Sequence, residues 1–144
     1  MGAQAISLPS EEKLPLAPIK GQLVILENDI QPACPIASQQ LVLPFPDDAK
    51  KVLLGATYEL AFSDEKAHLN QALDMLLPKA AQFFPPISQA APLSAWAGIR
   101  VSAAGHKPFI KQLHKRCYLF TGLGSKGMLW HSYLAKNLVD MLLP

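Results

Sequence analysis

Thr121-Gly122-Leu123-Gly124-Ser125-Lys126-Gly127-Met128 lies between an apolar run, Cys117-Tyr118-Leu119-Phe120, and a long helical pattern from Met128 to Leu143. Strand, glycine turn, helix is the geometry of an anion or cofactor cradle. Glycines let the backbone turn tightly and approach a ligand. The helix start then offers free N–H groups and a partial positive charge. Gly122, Gly124 and Gly127 spell the G-x-G-x-x-G string of dinucleotide-binding folds. Such a fold needs a second parallel strand after the helix, ending in an acid for the ribose. Here the helical pattern runs on to Pro144, and the last acid, Asp140, lies inside it. A Rossmann unit built on this motif is therefore not expected. Two roles stay open for it: a turn that lets strand and helix pack, or a helix start aimed at a cofactor held mainly elsewhere.

Working outward, the 144 residues suffice for a domain with a real core, and half of them are apolar. Thirteen basic and eleven acidic residues leave a net charge of +2, which predicts neither a nucleic-acid nor a membrane-surface partner. No apolar run has the length of a membrane span, and the N-terminus lacks the basic stretch of a signal peptide. Ile6 stands where a myristoylation signal needs Ser or Thr. A cytoplasmic protein is expected. Cys34 and Cys117 are far apart, without C-x-x-C spacing, and read as buried, reduced thiols. His68, His106, His114 and His131 show no metal-ligand spacing, so no metal site is expected. Ser125 is not in a nucleophile elbow and His131 is poorly placed as its base, so a hydrolase is not expected.

Along the chain, residues 1–18 read as an extended lead-in rather than a helix. Gly21 to Glu27 is a strong β run of central-strand type. Ile30 to Gln40 carries Pro32 and Pro35 and reads as a loop or an edge. Leu41 to Pro46 is a second strand, placed at an edge or an end by its prolines. Lys51 to Glu59 is a third, forming a hairpin with the second. A helix is expected to start at Ser63-Asp64-Glu65, with Leu69, Leu73, Leu76, Leu77 and Ala80 at helical spacing and Pro78 kinking or splitting it. Leu93 to Ser102 reads as a strand, residues 103–107 as a turn, Pro108-Phe109-Ile110 as a short strand and Arg116 to Thr121 as the strand before the glycine turn. The last helix places Trp130, Leu134, Leu138, Met141 and Leu142 on one face. The fold class is α+β, a mixed or antiparallel sheet with one covering helix, followed by a strand, glycine turn and helix.

Arg100 follows Trp96-Ala97-Gly98-Ile99 in an otherwise apolar strand. An arginine on such a strand needs a partner, and its planar fork suits a carboxylate held at two points. An internal salt bridge to Glu59 or another acid is the alternative. Tyr58 and Glu59 end the third strand and read as packing or surface residues unless a pocket forms beside them.

These segments together resemble the C-terminal part of FAD-dependent oxidoreductases of the D-amino-acid oxidase and glycine oxidase family. Pro18-Ile19-Lys20-Gly21-Gln22 is similar to the family's lead-in to its substrate domain. Leu54-Gly55-Ala56-Thr57-Tyr58-Glu59 is similar to its G-A-T-x-E strand, and Trp96-Ala97-Gly98-Ile99-Arg100 to its W-x-G-x-R-P strand. Tyr118 to Gly127 resembles its closing G-x-G-S-x-G segment, and Met1 to Ala5 the end of a flavin-domain strand. Two positions depart: Val101 replaces a proline, and Lys111 replaces a glycine that lies close to the flavin in relatives.

The resemblance implies FAD as cofactor and a small amino acid or amine as substrate. It implies that residues 1–17 and 104–144 belong to the FAD-binding domain and residues 18–103 to the substrate-binding domain. Arg100 would clamp the substrate carboxylate and present its Cα–H to the flavin N5 for hydride transfer, with Tyr58 as a pocket wall. Gly122, Leu123, Gly124, Ser125, Lys126, Gly127, Met128 and Leu129 would face the flavin, and the helix start would stabilise negative charge there. The family's own N-terminal G-x-G-x-x-G, which holds the FAD diphosphate, has no counterpart in these residues. The alternative expectation is a truncated, non-catalytic fragment or a split subunit that binds no FAD by itself and is completed by a separate N-terminal FAD-binding chain.

Overall fold

The computed structural model describes residues 2–8 and 13–143. The chain divides into two compact units, residues 20–98 and residues 1–19 with 99–144. Among the described residues it is an α+β protein with an antiparallel sheet and two α-helices.

The sheet of five strands has the order β2-β3-β4-β1-β5. Its members are β1 (Leu16–Glu27), β2 (Ile36–Ala37), β3 (Leu41–Pro44), β4 (Lys51–Gly55) and β5 (Ala91–Ala103). β1 pairs antiparallel with β4, Val24 opposite Leu54 and Leu26 opposite Val52. β3 pairs antiparallel with β4, Val42 opposite Leu54. Side chains on a strand alternate between faces, so this register puts Val24, Leu26, Val42, Val52 and Leu54 on one apolar surface. All five are 0% exposed. The helix α1 (Leu69–Ala80) lays Ala72, Leu76 and Ala80, spaced by four, against them, and Ile87 closes the cluster. Full burial of each such Val or Leu contributes about 1.5–3 kcal/mol.

Several sequence expectations are corrected. Residues 2–7 form a short 3-10 helix rather than an extended segment, and part of the lead-in, residues 9–12, lies outside the described residues. The third strand ends at Gly55, not Glu59; Glu59 returns only as an isolated bridge to Lys20. α1 begins at Leu69, because Asp64 accepts hydrogen bonds from the backbone N–H of Lys66 and the ring of His68 and ties 64–68 into a turn. Pro78 does not split α1, which continues to Ala80. It lies in the last turn and forfeits one backbone hydrogen bond there, while Leu76 and Ala80 stay buried on either side. Both cysteines are exposed rather than buried: Cys34 lies in a bend and Cys117 opens a strand just after a turn.

In the unit of residues 1–19 and 99–144, β6 (Phe109–His114) and β7 (Cys117–Thr121) form an antiparallel hairpin, Phe109 opposite Thr121. β6 runs four residues beyond the expected Ile110, because pairing with β7 continues through an irregularity after Gln112 to His114 opposite Cys117. Ala5, Leu14 and Leu119 make the small core, with Leu8, Leu16, Phe109 and Leu113 packed on it. The C-terminal helix α2 (Gly127–Leu142) follows a 3-10 turn, Gly124–Lys126. Of the face expected on α2, Leu134 is buried and Trp130 and Leu138 are half-buried, but Met141 and Leu142 are exposed. Met128 and Leu129 are 90% and 72% exposed.

Candidate functional site

The glycine turn is built onto the end of β5. Gly122 has φ +78°, and a Cβ on it would stand 2.6 Å from the Cβ of Ala103. A side chain is excluded there both by backbone conformation and by contact. The N–H of Ala103 donates to the carbonyl of Gly122, and Ser102 bridges Leu123. Gly124, at φ +56°, passes directly over Ser102: a Cβ on it would lie 3.4 Å from the Ser102 hydroxyl. The N–H of Lys126 donates to the carbonyl of Leu123 before α2 begins at Gly127.

This arrangement encloses a cleft of about 250 Å³ lined by Ser102, His106, Leu123, Gly124, Ser125 and Lys126. Four of the eight residues expected at a cofactor thus share one cavity. Gly122 is buried beneath it, and Gly127, Met128 and Leu129 open α2 without lining it. Ser102 and His106 were not anticipated. His106 has φ +56°, following Gly105 at +68°, and this double left-handed turn brings its Nδ1 to 3.2 Å from the Ser102 hydroxyl. The signal in sequence was slight: a serine followed four residues later by a histidine across Ala-Ala-Gly.

Arg100 lies in β5, half-buried. Among the described residues no hydrogen bond or ion pair engages its guanidinium. The alternative partner, Glu59, is committed elsewhere. Its Oε1 accepts from Gln22 Nε2 at 2.9 Å and from the Thr57 hydroxyl at 2.5 Å. That hydroxyl in turn accepts the backbone N–H of Gln22 at 2.8 Å. Gln22 Oε1 accepts the N–H of His68 at 2.6 Å, which fixes the start of α1. Lys20, only 2% exposed, reaches Asp64 at 3.5 Å. Burial raises the Glu59 carboxyl, but hydrogen bonds from Thr57 and Gln22 and the charges of Lys20 and His68 outweigh it and hold the group below its ordinary 4.5. The hydrogen bond from His68, then the Lys66 N–H, hold Asp64 below its ordinary 3.8. Tyr58, between Thr57 and Glu59, is 51% exposed. Tyr58 and Arg100 fall in different compact units.

The described residues contain no group of three His, Cys, Asp or Glu able to hold a metal ion. None of their helices is long and apolar enough to cross a membrane. Among the described residues no acid lines this cleft, and glycine leaves room in it at position 124.

A family model described as FAD dependent oxidoreductase (DAO) matches residues 1–141. The chain is 29% identical over 100 residues to a glycine oxidase of Pseudomonas aeruginosa, covering 68% of this chain and 27% of that protein. It is 27% identical over 134 residues to a glycine oxidase of Pseudomonas putida, covering 90% of this chain and 36% of that one. The crystal structure of glycine oxidase from Geobacillus kaustophilus superposes with a TM-score of 0.70 at 22% identity, over 88% of this chain and 35% of that chain. The chain therefore spans about a third of the length of the relatives it matches.

Proposed function

This chain belongs to the FAD dependent oxidoreductase (DAO) family, and on that premise we propose that it is the substrate-binding and flavin-facing portion of an amino-acid or amine oxidoreductase. The carrying observation is Arg100: a half-buried guanidinium in an apolar strand with no protein partner among the described residues. Such a group is left available to a ligand, and a carboxylate matches its fork. Residues 18–103 form the substrate-binding domain in this proposal, and residues 1–17 with 104–144 belong with the FAD-binding domain. Bound FAD would supply the acceptor for the hydride leaving the substrate's Cα. Arg100 would fix the carboxylate and so orient the Cα–H, and Tyr58 is proposed separately as a substrate-contacting residue. Leu123 to Lys126 and the N–H groups opening α2 would stabilise negative charge at the ring edge.

The test is Arg100→Ala in the enzyme assembled with a flavin-binding domain. Loss of a two-point ionic contact predicts a fall in kcat/KM of about 100-fold or more for carboxylate substrates. Simple amines should be affected little. Retention of carboxylate turnover within a few-fold would overturn the role.

A second reading rests on the exposed apolar face of α2. Met128, Leu129, Tyr133 and Val139 are each at least half exposed, as on a surface made to be covered. Here the chain holds no FAD alone and works, if at all, with a separate flavin-binding chain. Stoichiometric flavin in the purified chain contradicts it, and co-purification with a G-x-G-x-x-G protein supports it.

A further inference from the structure

We infer that the cavity between the end of β1 and the 3-10 turn Pro85–Gln89 is a site for the ammonium group of a small organic amine, received by the Oδ1 of Asn28 and the carboxylates of Glu27 and Asp29. The cavity holds about 430 Å³, the size of a small-molecule pocket. Asn28 lines it and is 6% exposed. Its other polar groups are committed. The backbone N–H donates to the carbonyl of Lys50 at 2.8 Å, and its own carbonyl accepts from Gln31 Nε2 at 3.2 Å. Its Nδ2 donates to the carbonyl of Ile30 at 2.6 Å. A carbonyl only accepts, so this last bond fixes which way the side-chain amide points. Oδ1 is left without a partner among the described residues. A second acceptor in the same loop, Gln31 Oε1, is buried and also has none. Buried acceptors call for donors. The carboxylates of Glu27 and Asp29 likewise take no hydrogen bond or ion pair among the described residues. Lys51, the cross-strand neighbour of Glu27, has its ammonium on Asp48 at 2.9 Å, and no basic side chain lines the cavity. What the walls lack is a positively charged donor, and an ammonium brings three N–H groups and no acceptor. Ile30, Pro86 and Ala91 offer an apolar wall to a short alkyl body. No three acids, histidines or cysteines gather among the described residues, which does not match calcium and its roughly six to eight oxygens. All these residues lie in the unit of residues 20–98, and nothing here depends on the flavin proposal.

The experiment is an NMR titration of the full chain with n-butylamine hydrochloride at neutral pH, where the amine is protonated. 1-Butanol carries the same alkyl body without the charge, and potassium chloride and calcium chloride carry a cation without the body. Butylamine should move the side-chain NH2 signals of Asn28 and the backbone amides of Asp29, Ile30 and Gln89 saturably, and neither salt should do so at equal ionic strength. Glu27 and Asp29 are exposed, so Glu27→Gln and Asp29→Asn should fold. Each should weaken butylamine about threefold, as for one exposed ionic contact, and the double variant about tenfold. Unchanged Val24 and Leu76 signals show that the variants are intact. Absent or unsaturable shifts with butylamine would overturn the site. So would equal shifts with potassium chloride, saturable binding of calcium in place of the amine, 1-butanol binding as tightly as butylamine, or full affinity in the double variant.

Discussion

Gly122 and Ala103 pack so closely that a Cβ on the glycine would stand 2.6 Å from that of the alanine, at a φ of +78°. This contact joins the end of β5 to the strand β7 and aims the turn over Ser102. The glycine is required twice, by conformation and by space.

Gly122→Ala should therefore destabilise the chain by about 3 kcal/mol or more, combining left-handed strain with overpacking. Gly98→Ala is the control. There the obstacle is the Trp96 ring at 2.7 Å, but Trp96 is 62% exposed and free to swing away. Its cost should stay below about 1 kcal/mol. Urea melts of the two variants compare them directly, and equal costs would refute the distinction.

The Glu59 network predicts an acid-sensitive stability. Glu59 has a folded pKa below its ordinary 4.5, so it contributes stability that is fully present above 4.5. That contribution is lost as pH falls through the lower folded value. Glu59→Gln keeps an acceptor for Thr57 and Gln22 but cannot titrate, so the difference between wild type and variant should shrink below that pH. Glu59→Ala leaves both donors unpaired in a buried site and should cost roughly 2 kcal/mol at neutral pH. A wild-type-minus-Gln difference that does not change with pH would sink the assignment.

Arg100→Lys retains the charge but loses the fork. In the assembled enzyme it should lower kcat/KM for carboxylate substrates by about tenfold, less than Arg100→Ala. Steady-state kinetics on both variants decide the matter; lysine equal to arginine would argue for a point charge rather than two-point binding.

The bare face of α2 predicts self-association of the isolated chain. Met128→Lys with Leu129→Lys removes two residues that are 90% and 72% exposed, so the melting curve should shift by no more than about 0.5 kcal/mol. Sedimentation should become independent of concentration. A wild-type chain that is already monomeric across concentrations contradicts the prediction.

Much of this was legible in the residues themselves. Gly21 to Glu27 and Lys51 to Leu54 announce strands by β-branched and leucine runs, and Leu69 to Ala80 announces a helix by its period. The order of the W-x-G-x-R and G-x-G-S-x-G segments carried the family resemblance that the DAO match bears out. Less legible were the ends of elements. Asp64 has the chemistry of a helix cap, yet Lys66, His68 and Lys20 capture its carboxylate first. Cys117 has the chemistry of a core residue, yet it stands at the exposed mouth of β7.

By itself the sequence determined what depends on neighbours: strand alternation, helical period, and a glycine where the backbone turns left-handed before α2. These follow from local sterics and from which side chains avoid water. Only the tertiary structure decided that Gln22, Thr57 and Glu59, up to 37 residues apart, share one buried network that leaves Glu59 spoken for. It alone set Ser102 under Gly124. A hydrogen bond acts over about 3 Å, so partners distant in sequence are chosen only when strand pairing brings their backbones together.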